Sequence, residues 1–206
     1  MAKLASKVIY LAMLLSILTV SCTKPLARND SEQYAGTELS GKAPDFSLID
    51  QHGRQMSLSD LHGKIVVLSF MDPHCADICI LTSQDIKKAY QNLGSLRDQV
   101  VFLAINVNPE VSSKKDINKA IRQWGLEEIS NFHFLNGSPS TLRTVWKNYN
   151  VLSEKSQKYG GQIIHTPGIF IIDQQGNKKW YVYTPLGWQG PNMSDLMLQH
   201  IRGLAS

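Results

Sequence analysis

From about residue 44 onward, apolar residues switch repeatedly between unbroken runs and helical spacing, and each switch marks a change of element. Phe46 to Ile49 reads as a short strand and His52-Gly53 as a turn. Lys64 to Phe70 is a β-branched, apolar strand that Pro73 should stop. Ile78, Ile86, Ala89 and Leu93 recur near the helical period and predict a helix over 76–94, ended by Gly94. Val100 to Val107 is a second continuous strand. Ile117, Ala120, Ile121 and Trp124 give the i, i+3, i+4, i+7 pattern of an amphipathic helix ending at Gly125. Phe132 to Leu135 is a short strand, followed by Ser138 as an N-cap, Pro139 at the first helical position, and helical spacing through Leu142, Val145, Trp146 and Tyr149. A polar loop is expected at 152–162, then a hairpin from Gly168 to Ile172 and Trp180 to Tyr183 around Gln175-Gly176-Asn177, and a last helix over about 194–203. Continuous apolar strands separated by helices imply a sheet covered on both faces, and the late hairpin makes it mixed. The fold class is α/β.

The first 43 residues carry a different pattern. Lys3 and Lys7 precede an apolar stretch, Val8 to Val20, broken by Ser16 and Thr19, which reads as an export signal and is short for a spanning helix. It ends at Thr19-Val20-Ser21-Cys22, which resembles a bacterial lipobox. The expected organisation is a lipoprotein-type signal over 1–21, lipid on Cys22, a polar tether over 22–42 and one domain over 43–206. An uncleaved anchor and an ordinary cleaved signal are the alternatives. In each case the domain is exported, and with a lipid or an anchor it is held on a membrane facing the periplasm or another extracytoplasmic space.

Composition adds two constraints. A chain of 206 residues, 43% hydrophobic and 18% charged, suits one ordinary core. The formal charge of +4 falls to +2 when Lys3 and Lys7 leave with the signal, and no basic run interleaves with aromatics, so no nucleic-acid partner is expected.

Chemistry concentrates at Cys75 and Cys79, placed on the turn after the Lys64–Phe70 strand and in the first helical turn beyond it. Four residues apart on a helix they would share one face, with a rise of roughly 6 Å between Cα atoms. A helix N-terminus favours negative charge, and thiolate is both the nucleophile and the ligand for soft metals. With Cys22 lipidated, these two form the remaining pair in an oxidising compartment. The site can be redox-active, metal-binding, or both. His74 adjoins Cys75, but neighbouring residues point apart, so an exposed turn histidine is expected; Met71 at a strand end is expected to be packing.

The motifs Ala43-Pro-Asp-Phe-Ser-Leu, Leu58-Ser-Asp-Leu and Gly63-Lys64 resemble the exported thioredoxin-like superfamily. Cys75-Ala-Asp-Ile-Cys79, Ile105-Asn-Val-Asn-Pro-Glu110, Phe134-Leu-Asn-Gly and His165-Thr166 before the strand ending at Asp173 are similar to the Sco/SenC family of copper-binding proteins that assist cytochrome c oxidase assembly. The resemblance implies a thioredoxin-like fold with a central mixed sheet flanked by helices. It also implies one copper ion, Cu(I) or Cu(II), on Cys75, Cys79 and His165, and a partner in the apo copper-bearing oxidase subunit. Cu(I) favours thiolates and imidazole suits Cu(II), for which Asp77, His74 or water is a candidate further ligand. The superfamily resemblance suggests a cis bond before Pro167. It also supports a rival reading, an exported thiol–disulfide oxidoreductase in which Cys75 attacks and Cys79 resolves. A peroxidase is disfavoured because Asp72 stands where peroxiredoxins place a threonine, three residues before the attacking cysteine.

Overall fold

The computed structural model describes residues 36–183 and 192–205; the expected export signal, Cys22 and most of the tether lie outside them. The described strands are β1 (Thr37–Glu38), β2 (Ser47–Ile49), β3 (Gln55–Ser57), β4 (Ile65–Met71), β5 (Val100–Asn106), β6 (Phe132–Leu135), β7 (Ser153–Ser156), β8 (Gln162–His165), β9 (Ile169–Ile172) and β10 (Lys178–Val182). The α-helices are α1 (Ile78–Asn92), α2 (Lys114–Trp124), α3 (Pro139–Asn148) and α4 (Met193–Ala205). Six strands form one sheet in the order β1-β10-β9-β4-β5-β6. β4 runs parallel to β5 and antiparallel to β9, so the sheet is mixed, as the strand pattern predicts.

β4 shows why an unbroken apolar run is a central strand. All seven of its residues are buried, because alternate side chains enter cores on opposite faces of the sheet. Ile65, Val67 and Met71 join Ile86 of α1, Ile117 and Trp124 of α2, and Leu196 and Ile201 of α4. Val66, Leu68 and Phe70 join Leu48 of β2 and Leu142, Val145 and Trp146 of α3. The polar exception, Ser69, donates its hydroxyl to the Leu103 carbonyl at 3.0 Å, which satisfies it inside the sheet.

The helices end where their capping chemistry dictates. The Ser138 hydroxyl accepts from the Thr141 N–H at 3.1 Å, a cap worth about 1 kcal/mol, and Pro139 occupies the first turn. Gly125 closes α2 with φ of +66°, the left-handed conformation that favours glycine. Trp146 of α3 donates its indole N–H to the Asn106 carbonyl at 3.0 Å, pinning the helix to the C-terminal end of β5.

Three expectations change. The stretch 152–162 is not a plain polar loop: β7 and β8 pair antiparallel there, from Ser153 opposite His165 to Ser156 opposite Gln162. Its strands are short and β7 reads Ser-Glu-Lys-Ser, so no apolar alternation announces it. The end of the expected tether is also ordered, since β1 adds to β10 and Lys42 bridges Asn177. Finally, α1 begins at Ile78 rather than 76, so Ala76 and the N-cap Asp77 join Cys75 on the turn before the helix. Among the described residues, no helix is long and apolar enough to cross a membrane.

Candidate metal centre

The site lies beyond the C-terminal ends of β4 and β5, where connecting loops of an open α/β sheet gather side chains. Val107 N–H donates to the Met71 carbonyl at 3.1 Å, which continues the parallel pairing one step past the strand. Asn108 then donates its side-chain amide to Asp72 Oδ1 at 3.0 Å, tying the two loops together. Asp72 Oδ1 also accepts from the His74 N–H at 2.8 Å, and the Cys75 N–H bonds the Asp72 carbonyl at 3.0 Å. These bonds fold residues 72–75 into a tight turn that presents Cys75 over the start of α1. Asp77, the N-cap, accepts from its neighbour Ile78 N–H and starts the helix.

Cys79, in the first turn of α1, is fully buried among the core residues of that face, whereas Cys75 is half-buried. The Cys79 N–H points at Cys75 Sγ at 3.3 Å and the Asp72 N–H at Cys79 Sγ at 3.5 Å. The third group arrives from far along the chain. β8 ends at His165, whose Nε2 stands 3.6 Å from Cys79 Sγ across 86 residues of sequence. The two sulfurs and the imidazole nitrogen all lie within 4.8 Å of one another.

His165 is also set in the right tautomer. Its Nδ1 lies 3.1 Å from the Thr166 carbonyl, and a carbonyl only accepts, so the hydrogen bond places the proton on Nδ1. Nε2 is then the nitrogen that faces the cysteines, and it is the one left to ligate a metal.

The two thiols differ sharply. A hydrogen bond with Cys79 lowers the Cys75 pKa, His165 acts in the same direction, and together they outweigh burial and the opposing Asp77 carboxylate, bringing it to about 6. Cys79 moves the other way: its bond to Cys75 and its burial hold it protonated, well above the ordinary thiol range. One proton is thus shared by the pair near neutral pH, and its loss leaves two sulfur anions and one imidazole around one point. That donor set fits a soft ion of low coordination number, copper above all.

The structure brings together Cys75, Cys79 and His165 and leaves His74 out of the cluster, exposed on the turn. Met71 is fully buried as packing. Asp77 touches Cys75 Sγ through Oδ1 at 3.0 Å. Pro167 departs from expectation, because every described peptide bond, including Thr166–Pro167, is trans. The reversal needed there comes from Gly168 instead, with φ of +109°, and Tyr181 donates its hydroxyl to the Pro167 carbonyl. Sequence reading missed the β7–β8 hairpin that carries His165 and walls a cleft of about 580 Å³ beside Cys75. The paired glycines Gly160 and Gly161, both at positive φ, were the available signal for its turn.

Comparison with known proteins decides the family. The SCO1/SenC family model matches residues 35–185. The chain belongs to the SCO1/SenC family. Over 138 residues, 64% of this chain, it is 30% identical to the mitochondrial SCO1 homolog 1 of Arabidopsis thaliana, of which the matched part spans 39%. A SCO1/SenC family lipoprotein from Bacillus anthracis superposes with a TM-score of 0.70 at 22% identity, covering 82% of this chain and 98% of that one. ScoI of Bradyrhizobium japonicum, solved with copper bound, gives 0.64 at 22% identity, covering 80% and 99%. At these identities the superpositions establish the thioredoxin-like fold.

Proposed function

We propose that this SCO1/SenC chain is an exported, membrane-tethered copper chaperone, which holds one copper ion through Cys75, Cys79 and His165 and passes it to an apo oxidase subunit during cytochrome c oxidase assembly. The observation that carries the reading is the approach of His165 Nε2 to the Cys79 sulfur, with the tautomer already set for ligation. Copper is cargo here. A half-buried Cys75 beside an open cleft leaves one ligand within reach of an incoming donor, so the ion can change partners one ligand at a time without being released to solvent.

The pairing of an accessible thiolate with a buried, protonated thiol also suits thiol exchange, in which Cys75 attacks a partner disulfide and Cys79 resolves the mixed disulfide. This second reading makes the protein a reductant of the acceptor's thiols rather than its copper donor.

Anaerobic Cu(I) titration of the reduced chain separates the two. Cys75→Ala, Cys79→Ala and His165→Ala are each expected to weaken copper binding by more than about 100-fold, because removing even an outer-shell partner of a metal ligand costs 10- to 100-fold. His74→Ala is expected to leave affinity within about threefold, since His74 is outside the cluster. Equal losses for His74 and His165 would overturn the ligand set, and disulfide reduction without copper binding would favour the second reading.

A further inference from the structure

The cleft beside Cys75 has a wall of which the proposed copper site uses only the last residue, His165. Residues 159–165 line it consecutively. Of these, Gln162 to His165 form β8, whose side chains alternate between two faces, so a lining that takes in all four draws on the strand's main chain rather than on one row of side chains. β8 has a main-chain edge to offer, because among the described residues it pairs only with β7.

The phase of the ladder says which groups that edge presents. Ser153 faces His165, and the Thr166 N–H donates to the Leu152 carbonyl at 3.0 Å. Ser153–His165 and Lys155–Ile163 are therefore the non-hydrogen-bonded pairs of this antiparallel ladder. It follows that the N–H and C=O groups of Ile163 and His165 point away from β7. Among the described residues they have no main-chain partner. The edge Gln162-Ile-Ile-His165 also lacks the lysines, prolines and bulges by which proteins commonly block strand addition.

The rest of the cleft specifies what would lie there. Val111, Ile78 and Ile164 supply apolar surface and Asp77 supplies an exposed carboxylate, with the carboxylate of Asp72 buried behind it in the turn. Glu110 is neutralised by Lys155 at 2.8 Å, but among the described residues no lysine or arginine pairs with Asp72 or Asp77. An occupant that complements this lining is extended, apolar on alternate residues and basic at its flank.

We propose that the free edge of β8 docks a basic, extended segment of the partner protein as an added strand, which brings a soft donor of that segment beside Cys75. The soft donor rests on the copper-transfer reading; the strand pairing does not. Main-chain bonds would fix the register of the segment, and the register would set which partner side chain meets the metal ligands.

The test uses the full chain, reduced and metal-free, with the acetylated and amidated peptide Lys-Thr-Val-Thr-Met-Thr-Val-Thr-Lys as probe. Calorimetric binding is expected, together with shifts of the Ile163 and His165 amide resonances. Methylating the peptide's main-chain nitrogens on one alternate set should weaken binding about tenfold or more, and methylating the other set should not, because a strand pairs along one edge only. Replacing both lysines by glutamate should weaken it by a similar factor. No binding at millimolar peptide, equal effects of the two methylated sets, or resonance shifts confined to another surface would overturn the proposal. Cu(I) titration of the same protein keeps the two ideas apart: docking without copper binding refutes copper transfer alone, and copper binding without docking refutes strand addition alone.

Discussion

Cys75 and Cys79 are the same residue type four positions apart, yet folding makes them chemically unequal. The turn held by Asp72 leaves Cys75 half-exposed with donors aimed at its sulfur, and the first turn of α1 drives Cys79 into the core. Alkylation of the reduced, metal-free protein should therefore modify Cys75 first. Its rate should rise as pH passes about 6, where Cys75 loses its proton, and should level off above about 7, while Cys79 stays protected. The sign follows from the direction of the shift, since a lowered pKa fills the thiolate at lower pH. A midpoint near an ordinary thiol's, about 8.5, would show that the donors around Cys75 do not hold its anion. The residue types were legible in the chain as a thiol pair; their inequality was not, because it depends on which sulfur meets the Asp72 turn and which meets the core.

At the scale of elements, the site depends on the loop between β8 and β9. Gly168 turns the chain there, and a Cβ built on it would lie 2.6 Å from Cζ and Oη of Tyr181, far inside contact distance. Gly168→Ala should destabilise the domain by about 2–5 kcal/mol through the disfavoured backbone and the forced displacement of Tyr181, measured by urea unfolding. Because His165 is three residues away, the same variant should bind copper more weakly than its residual folded fraction accounts for. Unchanged stability would mean that Tyr181 swings aside freely. The long elements were readable because β4, β5 and α2 must bury whole faces and their sequences repeat with the matching period. β7 and β8 were not, because they lie at the rim with mixed exposure and carry no dominant apolar face.

For the whole molecule, the redox state of the thiol pair sets whether a metal can bind. A disulfide between Cys75 and Cys79 forms one S–S bond at about 2.05 Å, releasing the one proton the pair holds near neutral pH and giving two electrons to the oxidant. The same sulfurs cannot then supply two thiolates to copper. Diamide treatment should abolish copper binding in step with loss of free thiols, and added reductant should restore both. Cys75 precedes α1, so it can move toward Cys79 without breaking the hydrogen bonds of the helix. Undiminished affinity in fully oxidised protein would refute the thiolate site. Attachment to the membrane is a separate question of the N-terminus. Radiolabelled fatty acid is expected on the wild-type chain and absent from Cys22→Ser, whose precursor should remain unprocessed; no label on the wild type would favour an uncleaved anchor.

By itself, the sequence determined what local periodicity and residue chemistry can determine: an α/β succession, its caps and stops, and a cysteine pair poised at a strand-to-helix turn. Those features depend on neighbours within about one turn or one strand, so a linear pattern carries them. His165 entered through family resemblance rather than spacing, and only the fold brings its Nε2 to Cys79 across a sequence separation of 86. The trans bond before Pro167, the burial of Cys79 and the free edge of β8 were likewise decided in three dimensions. Each depends on which segments meet: Tyr181 against Gly168, the core against α1, and, among the described residues, β7 alone against β8. Contacts of that kind have no period for a sequence to display.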